Sequence, residues 1–193
     1  MVDTITPVVH GGSTKRYART VAIHVAAATV TAALVGAFAG GLGALLPAGR
    51  WPLVSMLVAC AIAYACAELS PLRLPLLERH AQVPEWWRTF FRPDVAAALY
   101  GAGLGVGFAT YIRHGTFFVV TLAALLVADP LWGAVMCAPF GLARAMTVLR
   151  TRASRDQEGV DACIARIEGR AGGLRERALN AAALAAVGAA ALL

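Results

Sequence analysis

The sequence predicts an all-α, polytopic membrane helix bundle of about six transmembrane helices. Three observations predict it. First, 59% of the 193 residues are hydrophobic and only 15% are charged, with a mean hydropathy of +0.68, well outside the balance of a soluble domain. Second, an uncharged stretch runs for 30 residues from Thr20 to Gly49, whereas a bilayer needs only about 20 apolar residues in a helix. Third, the cations are nearly all arginines and fall in clusters between apolar blocks. The net charge of +6 therefore reads as membrane topology and contact with anionic headgroups, with no nucleic-acid partner.

Residues 1–17 read as a polar, loose cytoplasmic tail carrying Gly11-Gly12-Ser13. The Lys15-Arg16-Arg19 flank and Ala37-Phe38-Ala39 resemble a cleavable leader. The apolar run is about double the length of a signal core, so it reads as a retained first span over about 18–46. Pro47 to Arg50 make a tight turn, and Pro52 fits the first turn of span 2, about 51–69. Prolines 71, 75 and 84 then break any long helix. Pro84 starts a short interfacial helix, about 84–92, that gathers Trp86, Trp87, Phe90 and Phe91 into an aromatic belt. Arg73, Arg79, Arg88 and Arg92 put it on the cytoplasmic side.

Asp94 is expected to cap span 3, about 94–112, followed by a turn at Arg113-His114-Gly115. A single helix from Thr116 to Ala143 would run ~42 Å through a core of ~30 Å, with Asp129 near its middle at a cost of roughly 2.5–3.5 kcal/mol. Splitting it at Asp129-Pro130 removes both problems, because Asp favours the N-cap and Pro the first helical position. Spans 4 and 5 then cover about 113–128 and 130–149, with Arg113 and Arg144 reaching for the headgroups. Residues 150–177 carry seven arginines and five acids. Ser154 and Gln157 suggest a capping box, and Val160, Cys163, Ile164 and Ile167 recur at helical spacing, predicting an amphipathic connection over about 154–171. Gly172-Gly173 ends it, and the alanine-rich run 178–193 is span 6.

The two halves share a rhythm of span, proline turn, span, arginine-rich connection and span. Superposing Pro52 on Pro130 brings Cys60 within one position of Cys137, which suggests a three-plus-three pseudo-repeat with a working site near the midplane. Six spans from a cytoplasmic N-terminus leave the arginine-rich residues 150–177 outside, against the positive-inside tendency; five crossings would reverse that.

Candidate functional residues form four groups. Gly36 and Gly40 in span 1, and Gly101 and Gly105 in span 3, have the small-xxx-small spacing that lets helices approach closely. They would pack spans 1 and 3 together or line a conduit. His24, Glu68 and Arg144 are ionisable groups in or near the membrane and would line a substrate path, with neutral packing (His24) and snorkelling (Glu68, Arg144) as the alternatives. The belt residues Trp86, Trp87, Phe90 and Phe91 are the third group. Cys60 and Cys137, each in the middle of a span, are the fourth. They would cycle between dithiol and disulfide or simply pack as small apolar residues. Cys163 is expected on the apolar face of its surface helix, either inert or acylated. No Cys-x-x-Cys, metal-ligand spacing, hydrolase elbow or cofactor fingerprint occurs, so no metal and no cofactor is expected.

With one midspan cysteine per half and Cys137-Ala138-Pro139 placing a proline beside one of them, the chain resembles the six-span transmembrane thiol-disulfide conduits of cytochrome c biogenesis over residues 18–193. Cys60 has no adjacent proline and departs from that pattern. The resemblance implies a thiol-disulfide oxidoreductase passing electrons from a cytoplasmic thioredoxin-like protein to an extracytoplasmic acceptor. From the residues themselves, the leading expectation is a small transporter-like module of the plasma membrane moving a solute or ion. The electron conduit stands second, and an accessory subunit docking into a larger membrane complex third. The lipid bilayer is the expected partner throughout, and a homo-oligomer is compatible with all three.

Overall fold

The computed structural model describes residues 5–11, 13–46, 50–70, 86–107, 115–154, 156–170 and 173–192, and among them every regular element is helical. In chain order these are α1 (Thr14–Leu45), α2 (Arg50–Leu69), α3 (Trp87–Phe90), α4 (Pro93–Gly105), α5 (Thr116–Val127), α6 (Pro130–Ala145), a 3-10 segment (Met146–Thr151), α7 (Gln157–Arg170) and α8 (Leu174–Ala190). Several expected features lie outside the described residues: the turn after span 1, the prolines at 71, 75 and 84 with Arg73 and Arg79, and the Arg113-His114 turn.

Among the described residues three helices are long and apolar enough to cross a membrane: Thr14–Leu45, Trp51–Leu69 and Pro130–Thr151. Helix length thus supports three of the six expected spans, the first, second and fifth, and does not confirm the other three. The 13 residues of α4, 12 of α5 and 17 of α8 reach only about 20, 18 and 26 Å at 1.5 Å per residue, short of a ~30 Å hydrocarbon core. α4 ends at Gly105, in a glycine-rich run that propagates a helix poorly. Gly107 then adopts φ +76° and turns its N–H back to the Leu104 carbonyl.

Local cap chemistry decides the other boundaries. At the α5–α6 junction Ala128 takes a left-handed φ of 55°. Asp129 Oδ1 then accepts the Trp132 N–H at 2.9 Å, and Pro130 opens α6. Asp94 is not a cap as expected: Arg92 holds that position, Pro93 enters the first turn, and Asp94 sits inside it, paired with Arg19 at 2.7 Å. Proline's missing N–H and fixed φ suit the first turn better than any cap. The capping box expected at Ser154 and Gln157 is also replaced. Asp156 Oδ1 accepts the Gly159 N–H at 2.8 Å, while Gln157 reaches forward to Asp161. The segment expected as a loose tail is folded onto its own helix: Ile5 and Thr6 are buried, and His10 Nε2 lies 3.0 Å from Thr20 Oγ1.

The chain forms two compact units, and they are not its two sequence halves. Unit 1 takes residues 1–32, 80–110 and 139–171; unit 2 takes 33–79, 111–138 and 172–193. Both α1 and α6 contribute to each.

Small residues form the interior of α1, and large ones its outside. Ala28, Ala32, Gly36 and Gly40 are buried at intervals of four, while Val30, Leu34, Phe38 and Leu42 are exposed, each two residues further on. Two positions turn a helix by about 200°, so the large apolar side chains point directly away from the seam. On α6, Gly133, Cys137, Gly141 and Ala145 are buried at the same interval, with Leu131, Trp132, Val135 and Leu142 outward. Water would penalise such an arrangement; hydrocarbon does not, and small residues there let backbones approach for van der Waals contact.

In unit 1 the first half of α1 packs on α4, the end of α6 and the 3-10 segment through Ile5, Tyr17, Val21, Ala97 and Val148, and through Ala28, Leu104 and Ala145. In unit 2, α2, α5 and α8 pack together through Leu57, Ala61, Val119, Ala123 and Leu184. There the Arg177 guanidinium donates to the Ser70 carbonyl at 2.7 Å, satisfying a carbonyl just beyond the end of α2.

Candidate functional site

Three buried polar groups of unit 1 lie on the first half of α1, and one of them reaches α4. Tyr17, Thr20 and His24 all fall on the covered face of α1. His24, with 1% of its surface exposed, places Nδ1 3.3 Å from the Ala97 carbonyl, and its Nε2 has no hydrogen-bond partner among the described residues. The Tyr17 hydroxyl is buried and likewise without one. Close backbone approach creates this seam. A Cβ on Gly101 would collide with the His24 carbonyl, and one on Gly105 with the Ala28 carbonyl.

Arg144 does not join His24. Its Nη1 donates to the Leu104 carbonyl at 3.3 Å and its guanidinium lies 5.4 Å from the Phe140 ring centre. Ala97 and Leu104 are separated by about 10 Å along α4, so the two side chains serve opposite ends of one helix. Arg144 offers its charge to the negative, C-terminal end. Glu68 is half-buried in the last turn of α2, in unit 2. Within unit 1, His24 and Arg144 are therefore apart, and Glu68 belongs to the other unit.

The glycines of α1 split between partners. Gly36 and Gly40 do not face span 3 as expected: a Cβ on Gly36 would strike the Gly133 carbonyl, and one on Gly40 the Asp129 carbonyl. Gly43, outside the Gly36–Gly40 pair, has the same relation to the Leu125 carbonyl. Gly133 and Gly141 lie outside the expected pairs as well, although Gly133-x3-Cys137-x3-Gly141 repeats the four-residue period of α1.

All four cysteines are free thiols. Cys137, 1% exposed, packs with Ala39 and Ala124, whereas half-buried Cys60 packs against the Leu57–Leu184 cluster. The two belong to different apolar clusters of unit 2. The Cys163 thiol approaches the Arg150 carbonyl at 3.4 Å.

The belt residues cluster around Trp86, whose ring lies 6.0 Å from Phe90 and 6.1 Å from Phe91. Trp87 turns inward to Tyr100 at 5.8 Å, while Trp86 and Phe90 remain exposed. No group of three or more His, Cys, Asp or Glu side chains is placed to share a metal ion among the described residues.

No family model matches the chain, and no solved structure matches it. It is similar to proteins named methylamine utilization protein MauF. With that of Methylophilus methylotrophus it is 32% identical over 158 residues, 80% of this chain and 55% of the relative. With that of Paracoccus denitrificans it is 31% identical over 131 residues, 67% and 47%, and with that of Methylorubrum extorquens 33% over 116 residues, 59% and 41%. The chain thus spans about half the length of the curated relatives it matches.

Proposed function

We propose that this chain is an integral-membrane accessory protein of methylamine utilization, acting by holding other proteins at the membrane. The observation that carries the reading is the 32% identity across 80% of the chain to a methylamine utilization protein MauF. The outward-facing apolar stripes on α1 and α6 support its membrane placement, and the tight glycine seams suit a rigid scaffold. Partners would be membrane-bound or membrane-proximal proteins of the same process.

Two narrower readings compete. Solute transport would centre on His24, but His24 and Arg144 serve opposite ends of α4, and the names of the relatives speak of utilization rather than transport. A thiol-disulfide conduit would use Cys60 and Cys137 with a thioredoxin-like partner, yet each thiol packs in its own apolar cluster.

The test is a chimera in which this chain replaces the matching segment of MauF in Paracoccus denitrificans. Growth on methylamine comparable to that with the intact relative is expected. Absence of growth, with the chimera present in the membrane fraction, would refute the assignment.

A further inference from the structure

The N-terminal segment of unit 1 encloses a cavity of about 590 Å³ with the first turns of α1 and the start of α4, a volume typical of small-molecule sites. Its wall is built, not draped: His10 holds the segment at both ring nitrogens, Nδ1 2.9 Å from the Thr6 carbonyl and Nε2 3.0 Å from Thr20 Oγ1. The inner lining is mostly apolar, with Ile5, Ala97 and Tyr100 all nearly fully buried. The rim is cationic. Arg16, Arg19 and Arg92 line it against one carboxylate, Asp94, which Arg19 already engages. Neither Arg16 nor Arg92 has a carboxylate partner among the described residues.

A cationic rim over an apolar floor matches a ligand with an anionic head and an apolar continuation. Free phosphate would satisfy the arginines and leave the floor uncovered. The depth of the cavity in the membrane follows from a separate observation. Tyr100, in its lining, lies with its ring 5.8 Å from that of Trp87, whose neighbours Trp86 and Phe90 expose aromatic surface, and such residues collect at the headgroup level. We propose that this cavity binds the phosphate-bearing headgroup of an anionic phospholipid, with Arg16 and Arg92 contacting the phosphate and the Ile5–Ala97–Tyr100 floor receiving the glycerol and first acyl carbons. The proposal requires the membrane placement but not the role in methylamine utilization.

The full chain, purified in neutral detergent, is titrated with dihexanoyl phosphatidylglycerol, dihexanoyl phosphatidylcholine and inorganic phosphate, and binding is followed by tryptophan fluorescence. Phosphatidylglycerol is expected to bind more tightly than phosphatidylcholine and to weaken about fivefold for each arginine removed in R16Q and R92Q. R175Q, a substitution of an exposed arginine outside the cavity, leaves binding unchanged. Equal binding of the two lipids, or phosphatidylglycerol binding unaffected by R16Q/R92Q, overturns the proposal. Inorganic phosphate binding as tightly as phosphatidylglycerol, with the same arginine dependence, also overturns it by assigning the site to a soluble anion. Circular dichroism of R16Q/R92Q matching the parent separates loss of binding from loss of fold.

Discussion

Gly36 and Gly133 face one another so closely that a Cβ on either would strike the other's carbonyl oxygen. The clash is with backbone, which cannot rotate out of the way as a side chain can. Within unit 2 the second half of α1 and the beginning of α6 therefore meet backbone to backbone, and Gly40 against the Asp129 carbonyl continues the contact. Gly133→Ala is accordingly expected to destabilise the protein by about 1–3 kcal/mol, the usual cost of overpacking. Gly41, whose Cβ would meet nothing closer than Pro130 Cγ at 3.8 Å, is the control. Gly41→Ala should be neutral or stabilising by up to ~1 kcal/mol through helix propensity. Thermal unfolding of both variants in detergent checks the pair.

The junction between α5 and α6 gives a prediction of opposite sign. Ala128 holds a left-handed φ of 55° that favours glycine, so Ala128→Gly should raise stability by about 0.5–1 kcal/mol. One residue on, Asp129→Ala removes the cap on the Trp132 N–H and should lower it by ~1 kcal/mol. Asp129→Asn, which keeps an accepting oxygen, should retain most of that stability. The same unfolding measurement reads all three.

Much of this was legible in the sequence, and the reason is locality. The Asp129-Pro130 break could be read because cap chemistry involves only the next few residues. The four-residue spacing of Gly36–Gly40 and Gly101–Gly105 marked tight packing but not its partner, since nothing in α1 says whether a seam faces α4 or α6. Gly133 and Gly141 carry the same four-residue signal, hidden by Cys137 between them, a small residue that belongs to the series as much as to redox chemistry. Hydropathy also does not register the end of α4 at Gly105, which depends on backbone propensity. Nor does composition reveal a contact such as His24 with Ala97, 73 residues apart.

Thiol reactivity separates the packing role of the cysteines from a redox one. Cys66 is exposed and Cys137 only 1% so. N-ethylmaleimide should modify Cys66 readily in the folded, detergent-solubilised protein and Cys137 only after denaturation, as peptide mass spectrometry would show. If the accessory reading holds, C60A/C137A introduced into the methylamine chimera should support growth as well as the parent does. Loss of growth with normal membrane abundance would return the pair to an electron-transfer role.

The inverted pattern of α1 and α6, small inside and large outside, fits a chain surrounded by hydrocarbon. Alkaline carbonate extraction of cells expressing it tests this most directly. The account predicts that the protein stays with the membrane pellet and leaves it only in detergent; recovery of folded protein in the carbonate supernatant would contradict it.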